Sequence, residues 1–339
     1  MILSSQRWAR LFILLLSLII LCLAASVVLL DFNKMIIFVL AVLFLSYQIL
    51  IELLVALTFI SPGNTKKPFA GENWKSKTHQ FTTKIHTMSY FDDSIRPLII
   101  IIHGWRSGSI SMLERAKKYI ELGMHVIIFE MPGHGASEPI SKWTAGYAST
   151  TFIDFFSSLE EQFDMNYVTN IYFHGHSIGS FVLLQFSNHI DDMKYNEKIG
   201  GFILESPMTC YSMIFNEGMK RYRVPKILKN VYWNRLKNHF NAVNPTLKKV
   251  ETLSDVDVPK WGLIKHNLLI IQAEDDDRLG MNHYETLVKA QQQSTHSTKM
   301  EHHIVAGLTH SRARSNKSRD KLIKSWIEKL NHSDSVKSA

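Results

Sequence analysis

The sequence predicts an α/β protein: a mostly parallel central sheet with helices on both faces, an inserted helical cap, and a two-helix transmembrane hairpin in front. Three observations predict it. Long uncharged runs are confined to the first sixty residues. Short β-branched runs then alternate with stretches of helical spacing, which is the pattern of repeated strand–helix units. A basic segment interrupts that alternation once, between two of the later strands.

Leu11 to Leu30 is an unbroken uncharged run of twenty residues, and about 20 helical residues cross a bilayer. Met35 to Ile60 is a second run, with Gln48 and Glu52 as its polar exceptions, stopped by Ser61-Pro62-Gly63. Only 31–34 separates the runs, so spans over about 11–30 and 35–60 form a tight hairpin. Arg7 and Arg10 precede the pair and Lys66-Lys67 follow it. The positive-inside bias then makes the chain a two-pass integral membrane protein with its body facing the cytoplasm. The competing signal peptide, cleaved near Ala24-Ala25-Ser26, has an overlong apolar stretch and a second span directly behind it. Glu52 must snorkel, stay protonated or meet the first helix, because a bare charge is costly in lipid.

Residues 64–78 are polar and read as a linker. Strand signals follow at 80–90, 97–102, 126–129, 171–173, 201–204, 268–271 and 303–305, with helical spacing at 112–122, 153–163, 181–186, 284–292 and 322–330. A β-branched run such as Ile99-Ile100-Ile101-Ile102 suits a strand covered on both faces. The expected division is 1–63 anchor, 64–78 linker, 79–207 with 264–332 catalytic body, 208–263 cap, and 333–339 tail. The two cysteines, Cys22 and Cys210, form no framework.

Gly175-His176-Ser177-Ile178-Gly179 lies between an expected strand and an expected helix. In that setting a serine occupies a sharp turn above the carboxyl edge of the sheet, and the glycines let backbone and helix approach. A serine hydroxyl needs a base, and the base needs an orienting acid. The loop after 268–271 offers Glu274, Asp275, Asp276 and Asp277; the loop after the next strand offers His310. Asp276 is the expected acid, with Asp275 and Asp277 as rivals, since three adjacent acids cannot all be buried. His302 and His303 lie at the start of or inside their strand and read as structural. His103 precedes the serine in the chain and reads as a loop brace. Oxyanion donors are expected from the backbone N–H of Ile178 and of Trp105, in His103-Gly104-Trp105. No metal or other cofactor is implied, because the histidines lack ligand spacing.

Taken together, His103-Gly104-Trp105, the run from Glu130 to Ser137, Gly175-His176-Ser177-Ile178-Gly179, Ala273-Glu274-Asp275-Asp276 and His310 follow the α/β-hydrolase order. Over roughly 80–330 they resemble the monoacylglycerol-lipase and lysophospholipase branch. The resemblance implies an α/β-hydrolase fold with Ser177 as nucleophile, Asp276 as acid, His310 as base, and Trp105 and Ile178 as oxyanion donors. His103, Gly104, Gly175, His176 and Gly179 support them. Glu130 stands where Asp is usual, Ala273 where Gly is usual, and Ser180 where a second Gly often follows. The serine excludes the aspartate-nucleophile dehalogenases and epoxide hydrolases.

The formal net charge is +8, and residues 220–265 carry eleven Lys or Arg against three acids. Within that cap, Leu228, Val231, Tyr232, Leu236 and Phe240 recur at helical spacing opposite Lys226, Lys229 and Lys237. The apolar stripe is expected to pack on the catalytic body, with an anionic leaflet as a second contact for the basic face. The expected activity is cleavage of a lipid-like carboxylic ester. A thioesterase, acyltransferase or peptidase using the same residues, or a silent membrane scaffold, are the alternatives. Substrate and membrane are the expected partners; nothing points to nucleic acid.

Overall fold

The computed structural model describes residues 15, 17–23, 25, 33–65, 67–295, 299–311 and 314–337. Two compact units emerge: residues 1–60 with 226–242, and residues 61–225 with 243–339.

The second unit holds an eight-stranded sheet. Its strands are β2 (Trp74–Gln80), β3 (Lys84–Tyr90), β4 (Arg96–Ile102), β5 (His125–Phe129), β7 (Val168–His176), β8 (Ile199–Glu205), β9 (Leu268–Asp275) and β10 (Met300–Thr309). Their spatial order is β10-β9-β8-β7-β4-β5-β3-β2. From β10 to β5 every pairing is parallel; β3 is antiparallel to both β5 and β2. Two short strands, β1 (Asn64–Thr65) and β6 (His134–Gly135), pair separately. Helices α2 (Ser109–Glu121), α3 (Ala145–Ser157), α4 (Leu159–Gln162), α5 (Ile178–Phe186), α8 (Met281–Gln292) and α9 (Lys317–Lys337) connect or follow the strands. The run Leu98–Ile102 is wholly buried, as a continuous β-branched run in a parallel sheet must be.

The expected linker needs correction. Residues 64–78 contain β1 and most of β2, and the single strand read over 80–90 is a hairpin of β2 and β3 turning at 81–83. Most of β2 is exposed on both faces of the sheet edge. An edge strand with polar side chains on both sides carries no hydropathic signal, and its lysines suit an exposed edge.

Between β8 and β9 the chain forms α6 (Tyr211–Arg221) and α7 (Lys229–Val243). In the first unit, α1 (Asn33–Thr58) includes Phe38–Thr58, a helix long and apolar enough to cross a membrane, with mean hydropathy 2.4. The other expected span, 11–30, lies largely outside the described residues; residues 15, 17–23 and 25 of it are helical. Among the described residues α1 alone meets the length and hydropathy of a span.

Helix α7 lies against α1. The hydroxyls of Thr58 and Tyr232 are 2.9 Å apart, Arg235 Nε lies 3.7 Å from Glu52 Oε1, and the rings of Phe59 and His239 are 4.4 Å apart. Two expectations change here. The buried stripe of α7 is Tyr232, Leu236 and His239, and two of these meet α1, whereas Val231 is 40% exposed. Glu52 has an arginine partner from the cap, which gives its charge a counter-ion near the end of an apolar helix.

Candidate active site

Ser177 joins β7 to α5 with φ 57° and ψ −118°. An L-residue held there stores roughly 1–3 kcal/mol of strain, so its surroundings must over-determine it. They do. The Ser177 N–H donates to the Glu205 carbonyl at 3.0 Å, and the Ser177 carbonyl accepts from Met208 N–H at 3.1 Å. A Cβ on Gly175 would lie 2.6 Å from Ser180 N, and one on Gly179 would lie 2.4 Å from the Ile102 carbonyl oxygen. The turn therefore packs strand on helix at a distance that only glycine permits. Ser180 fits because its hydroxyl donates to the Gly175 carbonyl at 2.7 Å.

His310 immediately follows β10, at the same carboxyl edge. A register shift between Val305 and Thr309, with Gly307 at φ +69°, turns the end of that strand. The imidazole Nε2 lies 2.9 Å from Ser177 Oγ, and Nδ1 lies 2.8 Å from Asp276 Oδ2. Asp276 also accepts from the N–H groups of Leu279 and Arg278, at 2.8 and 3.0 Å, and from Gln272 Nε2 at 3.1 Å. Burial by itself would raise its pKa. The His310 hydrogen bond and the amide N–H groups outweigh burial and hold the carboxyl well below the usual carboxylate range. Its side chain is 1% exposed, while Asp275 and Asp277 face solvent.

The supporting histidines brace loops. His103 Nδ1–H donates to the Gly104 carbonyl at 2.8 Å, and Nε2 accepts from Met131 N–H at 3.1 Å. Both ring nitrogens are thus committed to backbone between β4 and the loop after β5. His176 Nε2–H donates to the His310 carbonyl at 2.9 Å, fixing the backbone that carries the imidazole. Burial pushes the His176 pKa down to about 3, so it stays neutral. His302 bonds the Tyr284 hydroxyl at 2.7 Å and His303 lies 3.8 Å from Glu301, both away from Ser177.

Gly104 brings the Trp105 loop to the serine: a Cβ there would sit 2.9 Å from His176 Nδ1 and 3.4 Å from Ser177 Cβ. The Trp105 ring packs edge-on against Trp143 at 4.6 Å and His134 at 5.2 Å. Ile178 is the first residue of α5, so its N–H is one of the amides a helix start leaves without an intrahelical acceptor.

Two buried clusters frame the site. Glu130 accepts from Ser109 N–H and Ala136 N–H, each at 2.6 Å, and from His86 Nδ1 at 2.9 Å. Burial opposes its ionisation, but the His86 bond and the two amides lower its pKa to about 2. It thereby ties the loop after β4 to the Pro132–Gly135 turn. Glu205, whose carbonyl holds Ser177 N–H, takes Arg115 bidentately at 2.8 and 2.6 Å. Arg319 reaches the same carboxylate at 3.4 Å and His174 at 3.2 Å, with Tyr119 donating to His174 Nδ1 at 2.7 Å. These partners come from three separate elements, so no local motif announces them. Among the described residues no group of three or more His, Cys, Asp or Glu is placed to hold a metal ion.

Comparison with known proteins agrees with this architecture. Residues 97–248 match the sequence family described as the α/β hydrolase fold. Among solved structures, an esterase from Pyrococcus furiosus is 15% identical, covering 80% of this chain and 98% of its own, with a TM-score of 0.57. The mouse alpha/beta hydrolase domain-containing protein 10 is 14% identical, covering 76% and 99%, with a TM-score of 0.51. A bacterial membrane phospholipase A is 13% identical, covering 96% and 99%, also with a TM-score of 0.51. No curated protein matches by sequence.

Proposed function

The chain has the α/β-hydrolase fold, and from that premise we propose that it is a membrane-anchored serine hydrolase cleaving carboxylic esters of lipid type. The observation that carries the reading is the continuous hydrogen-bonded series Ser177 Oγ–His310–Asp276, at 2.9 and 2.8 Å. In the first step Ser177 Oγ attacks the ester carbonyl while its proton passes to His310 Nε2. Asp276, held ionised, stabilises the imidazolium. The backbone N–H groups of Trp105 and Ile178 receive the oxyanion, a contribution of about 3–4 kcal/mol per donor in such sites. Collapse of the tetrahedral intermediate breaks the ester C–O bond, and the alcohol leaves with the proton from His310. Water, deprotonated by the same imidazole, then attacks the acyl-serine and releases the acid, restoring Ser177.

The lipid character rests on the anchor. We take α1 as the second of two spans, 11–30 and 35–60, with the basic flanks and the catalytic body on the cytoplasmic side. In support, Leu15, Leu18 and Leu23, and further along Ile36, Leu40 and Leu43, expose more than half their surface, which lipid would cover. The membrane phospholipase A supports the same reading, because its likeness extends over 96% of this chain. The deciding assay compares hydrolysis of p-nitrophenyl esters of increasing chain length, acyl thioesters, a monoacylglycerol and a lysophospholipid by the detergent-solubilised chain. Preferential release of long-chain acid from the glycerol-based esters is expected, lost in Ser177→Ala. Turnover of thioesters in preference to every oxygen ester would overturn the substrate class.

A further inference from the structure

Residues 226–242 contain Lys226, Lys229, Arg235 and Lys237 and no acid. The same stretch presents apolar side chains outward: Ile227 is 85% exposed and Val231 40%. A solvated helix face has no reason to project such a side chain, whereas a helix lying in a lipid interface combines cations with protruding apolar groups.

The position of this helix supplies the second, independent observation. Tyr232, Arg235 and His239 of α7 meet the last two turns or the exit of α1, at Thr58, Glu52 and Phe59. The candidate span ends at Thr58. Further back along α1, the apolar side chains of Ile36, Leu40 and Leu43 are 62%, 60% and 60% exposed. A helix fastened to the end of a span is held at the depth where hydrocarbon gives way to headgroups. There each cation faces lipid phosphate, and Ile227 and Val231 can enter the acyl layer.

Resting on the reading of α1 as a span, we infer that the 226–242 segment is a lipid-binding shelf whose occupants are the anionic phospholipid headgroups of the adjoining leaflet. The Arg235–Glu52 pair fastens the shelf, while Lys226 and Lys229 meet the headgroups. The shelf makes an anionic leaflet, rather than a neutral one, the surface on which the enzyme works.

The test uses the full chain in lipid nanodiscs of phosphatidylcholine, with and without a minor share of phosphatidylglycerol, and reads amide hydrogen exchange. Phosphatidylglycerol is expected to slow exchange across 226–242. Lys226→Gln with Lys229→Gln should remove roughly 25-fold of that slowing, about fivefold for each cation near an anionic surface. High salt should weaken the effect in the same direction. Exchange in β4 and β7 serves as the folding control and should not change. Equal exchange in the two kinds of disc overturns the proposal, as does slowing that survives intact in the double variant. Slowing produced equally by soluble glycerol phosphate on neutral discs also overturns it, because the occupant would then not be the bilayer. Exchange is read without turnover, so an inactive Ser177 leaves the result standing; a chain that discs fail to retain overturns the spanning premise instead.

Discussion

A carboxylate orients an imidazole well only where water does not compete for it, and at 275–277 burial separates three otherwise equivalent aspartates. The Asp276 side chain is 1% exposed and accepts from two backbone amides, Gln272 and His310. Asp276→Asn should lower kcat roughly 10⁴-fold by leaving the imidazole in the wrong tautomer, whereas Asp275→Asn and Asp277→Asn should leave kcat near the parental value; steady-state kinetics on one soluble ester checks all three. The order of serine, acid and histidine was legible in the sequence. Asp276 was the expected acid with Asp275 and Asp277 as rivals; what distinguishes it, the turn that folds the amides of Arg278 and Leu279 back onto its side chain, was not legible. Glu130 gives a second residue-scale test. Its pKa is depressed from 4.5 to about 2, so the unfolded chain binds more protons between those values. The stability it contributes, about 3 kcal/mol, is therefore present above pH 4.5 and lost as pH falls toward 2. Chemical denaturation at stepped pH should show this acid loss in the parent and its absence in Glu130→Gln; parallel curves would contradict it.

At the scale of elements, the hydropathic pattern revealed what is buried on both sides and missed what is exposed on both. The central strands and most helices were legible from their apolar runs. Strand β2 was not, since its side chains are largely in water and its register is set by backbone pairing with β3. The junction of β7 and α5 depends on steric absence. Gly179→Ala should destabilise the chain by about 1–3 kcal/mol and displace Ser177, because the added methyl meets the Ile102 carbonyl at 2.4 Å; denaturant midpoints and activity should fall together. Beneath that junction, Glu205 joins α2, β7 and α9 through Arg115, His174 and Arg319. Glu205→Ala leaves Arg115 buried without its counter-ion and Arg319 with Asp320 alone, and should cost about 3–5 kcal/mol, read as a lower midpoint in urea. A loss no greater than that of an exposed pair such as Lys117–Glu114 would show that the cluster is not structural.

Across the whole molecule, one sheet collects groups far apart in the chain. Ser177 follows β7, Asp276 follows β9 and His310 follows β10, so parallel strands deliver all three to one carboxyl edge, the edge where open α/β sheets bind ligands. That topology was legible from the alternation of strands and helices. The fastening of α7 to α1 was not, because a basic amphipathic helix shows one apolar stripe whatever it packs against. The central claim, that Ser177 is an activated nucleophile, is tested most directly by treating the full chain with a fluorophosphonate and locating the adduct by mass spectrometry. A single phosphonylated residue at Ser177 is expected, absent in Ser177→Ala and formed far more slowly in His310→Gln. Labelling at another position, or labelling of Ser177 that is indifferent to loss of the His310 imidazole, would contradict it.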